Sequence, residues 1–333
     1  MSKDMHLADY LSKDVAKEPT RKGFGRGLLA AGKANENVVA ACADLTGSTA
    51  MDLFAKEFPD RFVEVGVAEQ NLVTLGSGLA AMGKIPFVSS YAAFSPGRNW
   101  EQIRTTICLN EQPVKVVGSH AGLSVGPDGA THQMLEDIAL MRVLPYMVVV
   151  VPGDAIEAEK ATIAMAKDTK RPGYLRLARE ATPIFTTPET PFEIGKAYVL
   201  ERGDEVTLIS TGPMTYLALQ AAEKLFKDGI DAEVIHCPTI KPLDTKTILA
   251  SVKKSRAVVT IEEGQIAGGL GGAIAELLGE EMPAALRRIG VKDRFGESGT
   301  PDELLKHHGI TVHHIMLAAH EVVDRKPSNT RRP

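Results

Sequence analysis

The sequence predicts an α/β protein: a parallel sheet covered by helices, followed by a second, smaller α/β domain. Three observations predict it. Short Val- and Ile-rich runs recur along the chain, VVVV at 148–151 among them. Longer amphipathic segments alternate with these runs, which is the pattern of strands buried on both faces. A stretch at 181–195, ATPIFTTPETPFEIG, breaks the alternation with three prolines and four threonines, as an interdomain linker does.

Taken in order, 36–44 (ENVVAACAD) reads as a strand, 51–58 as a short helix and 61–66 as a strand. Residues 68–83 form a helix rich in small side chains, and 85–94 (IPFVSSYAAF) a strand. A helix follows over PGRNWEQIRTTICLNE, then the strand VKVVGSH, the helix MLEDIALMRVL and the buried strand MVVVVP. DAIEAEKATIAMAKDT reads as a helix and PGYLRLAR as a strand. Beyond the linker the alternation resumes: EVTLISTG, MTYLALQAAEKLFKDG, DAEVIHCP, TKTILASVKKS, RAVVTIEE, AGGLGGAIAELLGEE and LRRIGV. Right-handed β-α-β crossovers are expected throughout.

Composition narrows the function. The chain has 333 residues, 44% of them hydrophobic and 24% charged, an ordinary globular balance that excludes a disordered or collagenous chain. A formal charge of −4 gives no electrostatic case for nucleic acid or an anionic membrane. No apolar run approaches the length of a membrane span, and the charged start MSKDMHLADYLSKD has no apolar core of a secretory signal. Cys42, Cys108 and Cys237 stand far apart and form no disulfide framework, so a reducing, cytoplasmic home is expected.

Most candidate polar residues fall in four loops at predicted strand C-termini, where open α/β sheets place ligands. The loops are DLTGS (44–48), GVAEQN (66–71), SHAGLSVGPDGATHQ (119–133) and RLARE (176–180). Two guanidiniums (Arg21, Arg179), a hydroxyl (Ser48) and an imidazole (His120) would suit a phosphate monoester. Taken singly, Arg21 also reads as a surface charge, Ser48 as a helix cap and Arg179 as a strand-end ion pair. Asp128 and His132 lie in a glycine-rich loop long enough for an active site and, with His120, fit hydrogen bonding to hydroxyls and proton shuttling. A glycine turn with an Asx cap is the plainer reading. Glu69 opens a helix. It serves either as a favourable helix-dipole charge or as a buried carboxyl that shares a proton with a nitrogen heterocycle.

The ordered run DLTGS, GVAEQN, PFVSSYAAF, SHAGLSVGPDGATHQ, RLARE closely resembles the C-terminal half of transketolase, over about residues 18–325. The resemblance implies a thiamine-diphosphate-binding (pyrimidine-domain) fold at 18–185, a linker at 186–193 and a transketolase C-terminal domain at 194–325. An extension (1–17) and a tail (326–333) flank them. It implies that Glu69 contacts N1′ of the aminopyrimidine and that Tyr91 and Phe94 line that ring, with Asp44 and Leu45 on the cofactor side. Arg21, Ser48, His120 and Arg179 match phosphate-end contacts. Asp128 and His132 match residues that hold the ketose hydroxyls and donor carbonyl. A third family aromatic falls on Gly97.

The resemblance also implies a missing half. The family binds Mg²⁺ and the diphosphate through a Gly-Asp-Gly motif and a later Asn in its N-terminal half, and this chain has no Gly-Asp-Gly. A separate N-terminal subunit is therefore expected to complete thiamine diphosphate and Mg²⁺ binding, in an α2β2 assembly acting on sugar phosphates. The runner-up is the β subunit of a thiamine-dependent 2-oxoacid dehydrogenase, against which the histidine loop and phosphate anchors argue. A non-catalytic scaffold is the alternative of another class. GFGRG (23–27) and GGLGG (268–272) lack the context of a nucleotide motif and are read as sites of close helix packing at an interface. No ordered ligand set with Cys or carboxylates accompanies the pairs His307–His308 and His313–His314, which are read as surface or subunit-contact residues, with no metal ligands assigned.

Overall fold

The computed structural model describes residues 5–326. Residues 1–4 and 327–333, and with them most of the expected tail, lie outside that range. After a short strand β1 (Lys17–Pro19) and helix α1 (Thr20–Ala34) come β2 (Val38–Cys42), α2 (Asp52–Glu57), β3 (Phe62–Glu64), α3 (Glu69–Ala81) and β4 (Ile85–Tyr91). A short α4 (Trp100–Gln102) widens into a π-helical turn over Ile103–Cys108, followed by β5 (Lys115–Ser119) and a 3₁₀ segment, Leu123–Asp128. Then come α5 (Asp137–Arg142), β6 (Val148–Val150), α6 (Ala155–Lys167), β7 (Gly173–Arg176) and β8 (Ala181–Pro183). The second half is β9 (Tyr198–Glu201), β10 (Val206–Ser210), α7 (Met214–Lys227), β11 (Ala232–His236), β12 (Thr239–Lys241), α8 (Thr245–Ser255), β13 (Ala257–Gln265), α9 (Leu270–Glu281), β14 (Ala285–Val291), α10 (Pro301–His307) and α11 (Val312–Asp324).

The first sheet has seven strands in the order β12-β6-β7-β5-β4-β2-β3, parallel except for β12. The second has five, β14-β13-β10-β11-β9, parallel except for β9. Strands β2, β5 and β10 are buried along their whole length, because helices cover both faces. Even Lys115 lies inside, its Nζ donating to the carbonyls of Asp168 and Arg171 at 2.6 Å. Burial pushes that ammonium down to about 8. The GFGRG segment lies inside α1 and packs on α6 within the same chain. A Cβ on Gly23 would stand 1.8 Å from the Ala155 carbonyl oxygen, so only glycine permits this approach.

The two halves share a core. Strand β12 comes from the second half yet pairs antiparallel with β6 of the first sheet. Val149, Val151, Ile235, Cys237 and Ile240 belong to one buried cluster. Polar ties add to it: His236 Nε2 lies 2.7 Å from Glu157 Oε2, and Asp154 accepts from the amides of Phe185 and Thr186. Part of the stretch read as a linker is ordered as β8, which pairs with β1. The extension packs on the body: the Ala8 amide donates to the Phe185 carbonyl at 3.0 Å, and buried Tyr10 donates its hydroxyl to Glu201.

Candidate active site

The candidate side chains gather at the C-terminal edge of the first sheet, and strand register explains how. Tyr91 pairs with Ser119, so Tyr91 and His120 emerge side by side. Gly118 pairs with Arg176, which brings the chain leading to Arg179 to the same edge. Cys42 pairs with Glu64, which sets the DLTGS loop beside the turn that leads into α3.

Glu69 is the first residue of α3 and is 2% exposed. Its Oε2 accepts from Arg98 Nη1 at 2.6 Å, while Oε1 has only a long contact, 3.4 Å, from Ser90 Oγ. Its backbone carbonyl accepts from Asn99 Nδ2 at 2.8 Å, which fixes the helix start. Arg98 also places its guanidinium 4.9 Å from the Phe94 ring centroid. Sequence reasoning missed Arg98. A single arginine between Gly97 and Asn99 carries no motif, and only the turn after β4 aims it at Glu69.

An aromatic group stands next to it. Tyr91 stacks on His120 with centroids 3.8 Å apart, and Phe94 lies 6.1 Å from Tyr91 in a near-parallel arrangement. His132 meets Phe94 edge-on at 5.4 Å. His120 and His132 thus approach the same aromatic pair from the two ends of their loop. His120 has φ +56, a left-handed conformation that a non-glycine residue rarely adopts. Its Nδ1 is 2.8 Å from Ser119 Oγ. Burial, reinforced by the charges of Arg21, Arg179 and His132, pushes the imidazole down to about 3, so the ring is neutral at physiological pH. Gly97 leaves no room for the missing aromatic: a Cβ there would lie 2.0 Å from the Ala93 carbonyl oxygen.

Arg21 ties together the basic group. Its Nη1 donates to the Ser48 carbonyl at 2.8 Å and its Nε to the Arg179 carbonyl at 3.2 Å. Arg179 donates to the Val125 carbonyl at 2.6 Å and pairs with Asp128 at 3.4 Å. Arg21, Ser48, Arg179 and Asp128 are therefore linked, with His120 within electrostatic reach. Asp44 and Leu45 begin the loop that carries Ser48. Their loop is held by Glu64, whose carboxylate accepts from the Asp44 amide at 2.5 Å and from Thr46 Oγ1 at 2.7 Å. Glu64 is a second positioning residue that the sequence did not single out.

The glycine-rich loop rests on the second half of the chain. Glu263 of β13 is buried and accepts from the Ser124 amide at the start of the 3₁₀ segment. Gln133 Nε2 donates to the carbonyls of Gly126 at 3.1 Å and Glu297 at 2.9 Å. The second half thus shapes the candidate site from below.

Comparison with known proteins identifies the family. The family profile for the transketolase pyrimidine binding domain matches residues 16–184, and that for the transketolase C-terminal domain matches residues 195–315. A protein designated a transketolase C-terminal section in Methanocaldococcus jannaschii is 47% identical over 294 residues, 87% of this chain and 92% of that one. The 6-deoxy-6-sulfo-D-fructose transketolase subunit SqwH of a Clostridium species is 41% identical, over 90% of this chain and 92% of its own. A solved structure titled split gene transketolase, inactive beta4 tetramer, superposes with a TM-score of 0.87 at 42% identity, covering 93% of this chain and 99% of that chain. The chain belongs to the transketolase family, of which it comprises the pyrimidine-binding and C-terminal domains.

Proposed function

We propose that this chain is the C-terminal subunit of a two-chain, thiamine-diphosphate-dependent transketolase. It would move a two-carbon ketol unit from a ketose phosphate to an aldose phosphate, in the cytoplasm, once an N-terminal subunit completes the site. The observation that carries the reading is the convergence, at one sheet edge, of the buried Glu69 carboxylate, the Tyr91–Phe94 pair and the Arg21–Ser48–His120–Arg179 group.

The residues fit the pyrimidine end of the cofactor. A buried carboxylate with one lightly engaged oxygen beside an aromatic pair suits a protonated nitrogen heterocycle. For the other end the sequence holds no Gly-Asp-Gly. We therefore assign Mg²⁺ and the diphosphate to the partner, with α2β2 symmetry, because a shared cofactor sits naturally at a subunit interface.

When bound, thiamine diphosphate supplies the electron sink that makes carbon–carbon cleavage beside a ketone possible. Glu69 holds the shared proton at the ring nitrogen through Oε1, while Arg98 keeps Oε2 in place. Tyr91 and Phe94 orient the pyrimidine. Neutral His120 acts as a hydrogen-bond donor or acceptor to substrate oxygens. His132 moves a proton at the donor carbonyl. Asp128 accepts from ketose hydroxyls, and Arg21, Ser48 and Arg179 hold the phosphate.

The test is ketol transfer from xylulose 5-phosphate to ribose 5-phosphate with thiamine diphosphate and Mg²⁺, for the chain alone and with its co-purified partner. Activity only with the partner is the expected result. Activity of the chain alone would overturn the divided site. A cofactor-loaded complex that turns over pyruvate but no sugar phosphate would overturn the assignment of substrate class.

A further inference from the structure

Away from the candidate active site, Glu297, His307 and His308 have the composition of a metal centre. One ligand atom from each lies within 4.8 Å of the others. The sequence shows two adjacent histidines preceded by Asp302 and Glu303, of which Glu303 is taken up in capping α10. The fold supplies the carboxylate: the loop after β14 carries Glu297 back over the C-terminal end of α10, where His307 and His308 lie.

We propose that Glu297, His307 and His308 bind a divalent transition-metal ion of the zinc class, with the remaining coordination position open to water. Three observations support it. Glu297 Oε1 and His307 Nε2 are 3.2 Å apart, and a tetrahedral ion with bonds of about 2.1 Å holds its ligand atoms about 3.4 Å apart. The His307 and His308 rings are 5.2 Å apart and nearly perpendicular, so both can face one ion without overlapping. His308 Nε2 is enclosed and has no hydrogen-bond partner, a cost that coordination would remove. Two imidazoles and a carboxylate suit zinc, cobalt or nickel. Magnesium and calcium prefer all-oxygen shells.

The position gives the ion a consequence. The Glu297 carbonyl accepts from Gln133, the residue after His132, and the same Gln133 nitrogen holds the Gly126 carbonyl. An ion that pins the 297 loop to α10 therefore braces the segment that carries Asp128 and His132. Its role is to stiffen, not to react.

The full-length chain, stripped with a chelator, is titrated with cobalt(II) and then with zinc(II). The expected result is one equivalent of cobalt with the visible d–d bands of a low-coordinate nitrogen–oxygen site, displaced by zinc. Glu297→Gln and the His307→Ala/His308→Ala pair each weaken binding by at least about tenfold, with circular dichroism unchanged. His313→Ala/His314→Ala leaves binding intact. Zinc raises the melting temperature of the wild-type chain and not of the His307/His308 variant. Absence of the cobalt signal, or an undiminished signal in that variant, would overturn the site and leave Glu297 and His307 a surface ion pair.

Discussion

Arg98 Nη1 lies 2.6 Å from Glu69 Oε2, and the same guanidinium covers the face of Phe94. One arginine thereby ties the buried carboxylate to the aromatic ring beside it. Glu69→Gln is expected to reduce ketol transfer by about 10²–10⁴-fold, because the amide cannot take the shared proton, while the assembled complex still forms. Arg98→Met is expected to lower kcat/KM by about tenfold, and Arg98→Lys to recover part of it, since the fork and the ring contact are lost but the charge remains. Steady-state kinetics on the two-chain complex checks both. Undiminished turnover in Glu69→Gln would favour a non-catalytic scaffold.

His120 is expected to stay neutral from pH 5 to pH 8, because burial and the charges of Arg21, Arg179 and His132 hold its proton affinity far below the usual imidazole value. Its ring resonances in NMR should not titrate in that window. The sign for stability follows. The unfolded chain takes up a proton near pH 6.5 and the folded chain only near 3, so stability falls as pH drops through that interval. Urea unfolding of wild type and His120→Asn should diverge below pH 6.5, the wild type losing more. Parallel curves would contradict the assigned environment.

Restoring the missing family aromatic at Gly97 is expected to fail. A Cβ there overlaps the Ala93 carbonyl oxygen, and that atom belongs to backbone. Gly97→Tyr should destabilise the chain by about 1–3 kcal/mol and disturb the Phe94–Arg98 contact. Denaturant titration, with cofactor affinity of the assembled complex, measures the two effects.

Asp137, at the start of α5, is fully buried. It accepts from Arg176 Nε at 2.8 Å and Tyr174 Oη at 2.7 Å, while Arg176 Nη2 reaches the Glu263 carbonyl across the two halves. Asp137→Ala strands the guanidinium and should cost about 3–5 kcal/mol. Arg176→Met with Asp137→Leu should recover much of that, because the charge is then removed from both sides. Unfolding midpoints of the single and double variants decide the point.

The strands were the most legible part of the chain. Runs such as those at 38–42, 115–119 and 206–210 are apolar because both faces of the sheet are covered, and burial of that kind leaves its mark on composition. Helix extents were less legible. The helix expected over PGRNWEQIRTTICLNE begins only at Trp100 and widens into a π-turn, and the one expected over MLEDIALMRVL is confined to Asp137–Arg142. In both segments the residues before the helix are used instead for the turns that build the site. The glycines of GFGRG were read as close packing at an interface; within the chain Gly23 and Gly27 permit a close approach to α6, and Gly25 to Ala50.

By itself, the sequence determined the alternating α/β architecture, the family, and the identity of the loops that follow the strands. Those features depend on local periodicity and on motifs a few residues long. The tertiary structure alone decided that β12 crosses into the first sheet, that Arg98 engages Glu69, that Glu64 and Glu263 hold the loops, and that Glu297 meets two histidines. Each of these joins residues whose spacing carries no periodic signal. Their meeting depends on strand register and on the packing of one half of the chain against the other, and only the folded chain expresses either.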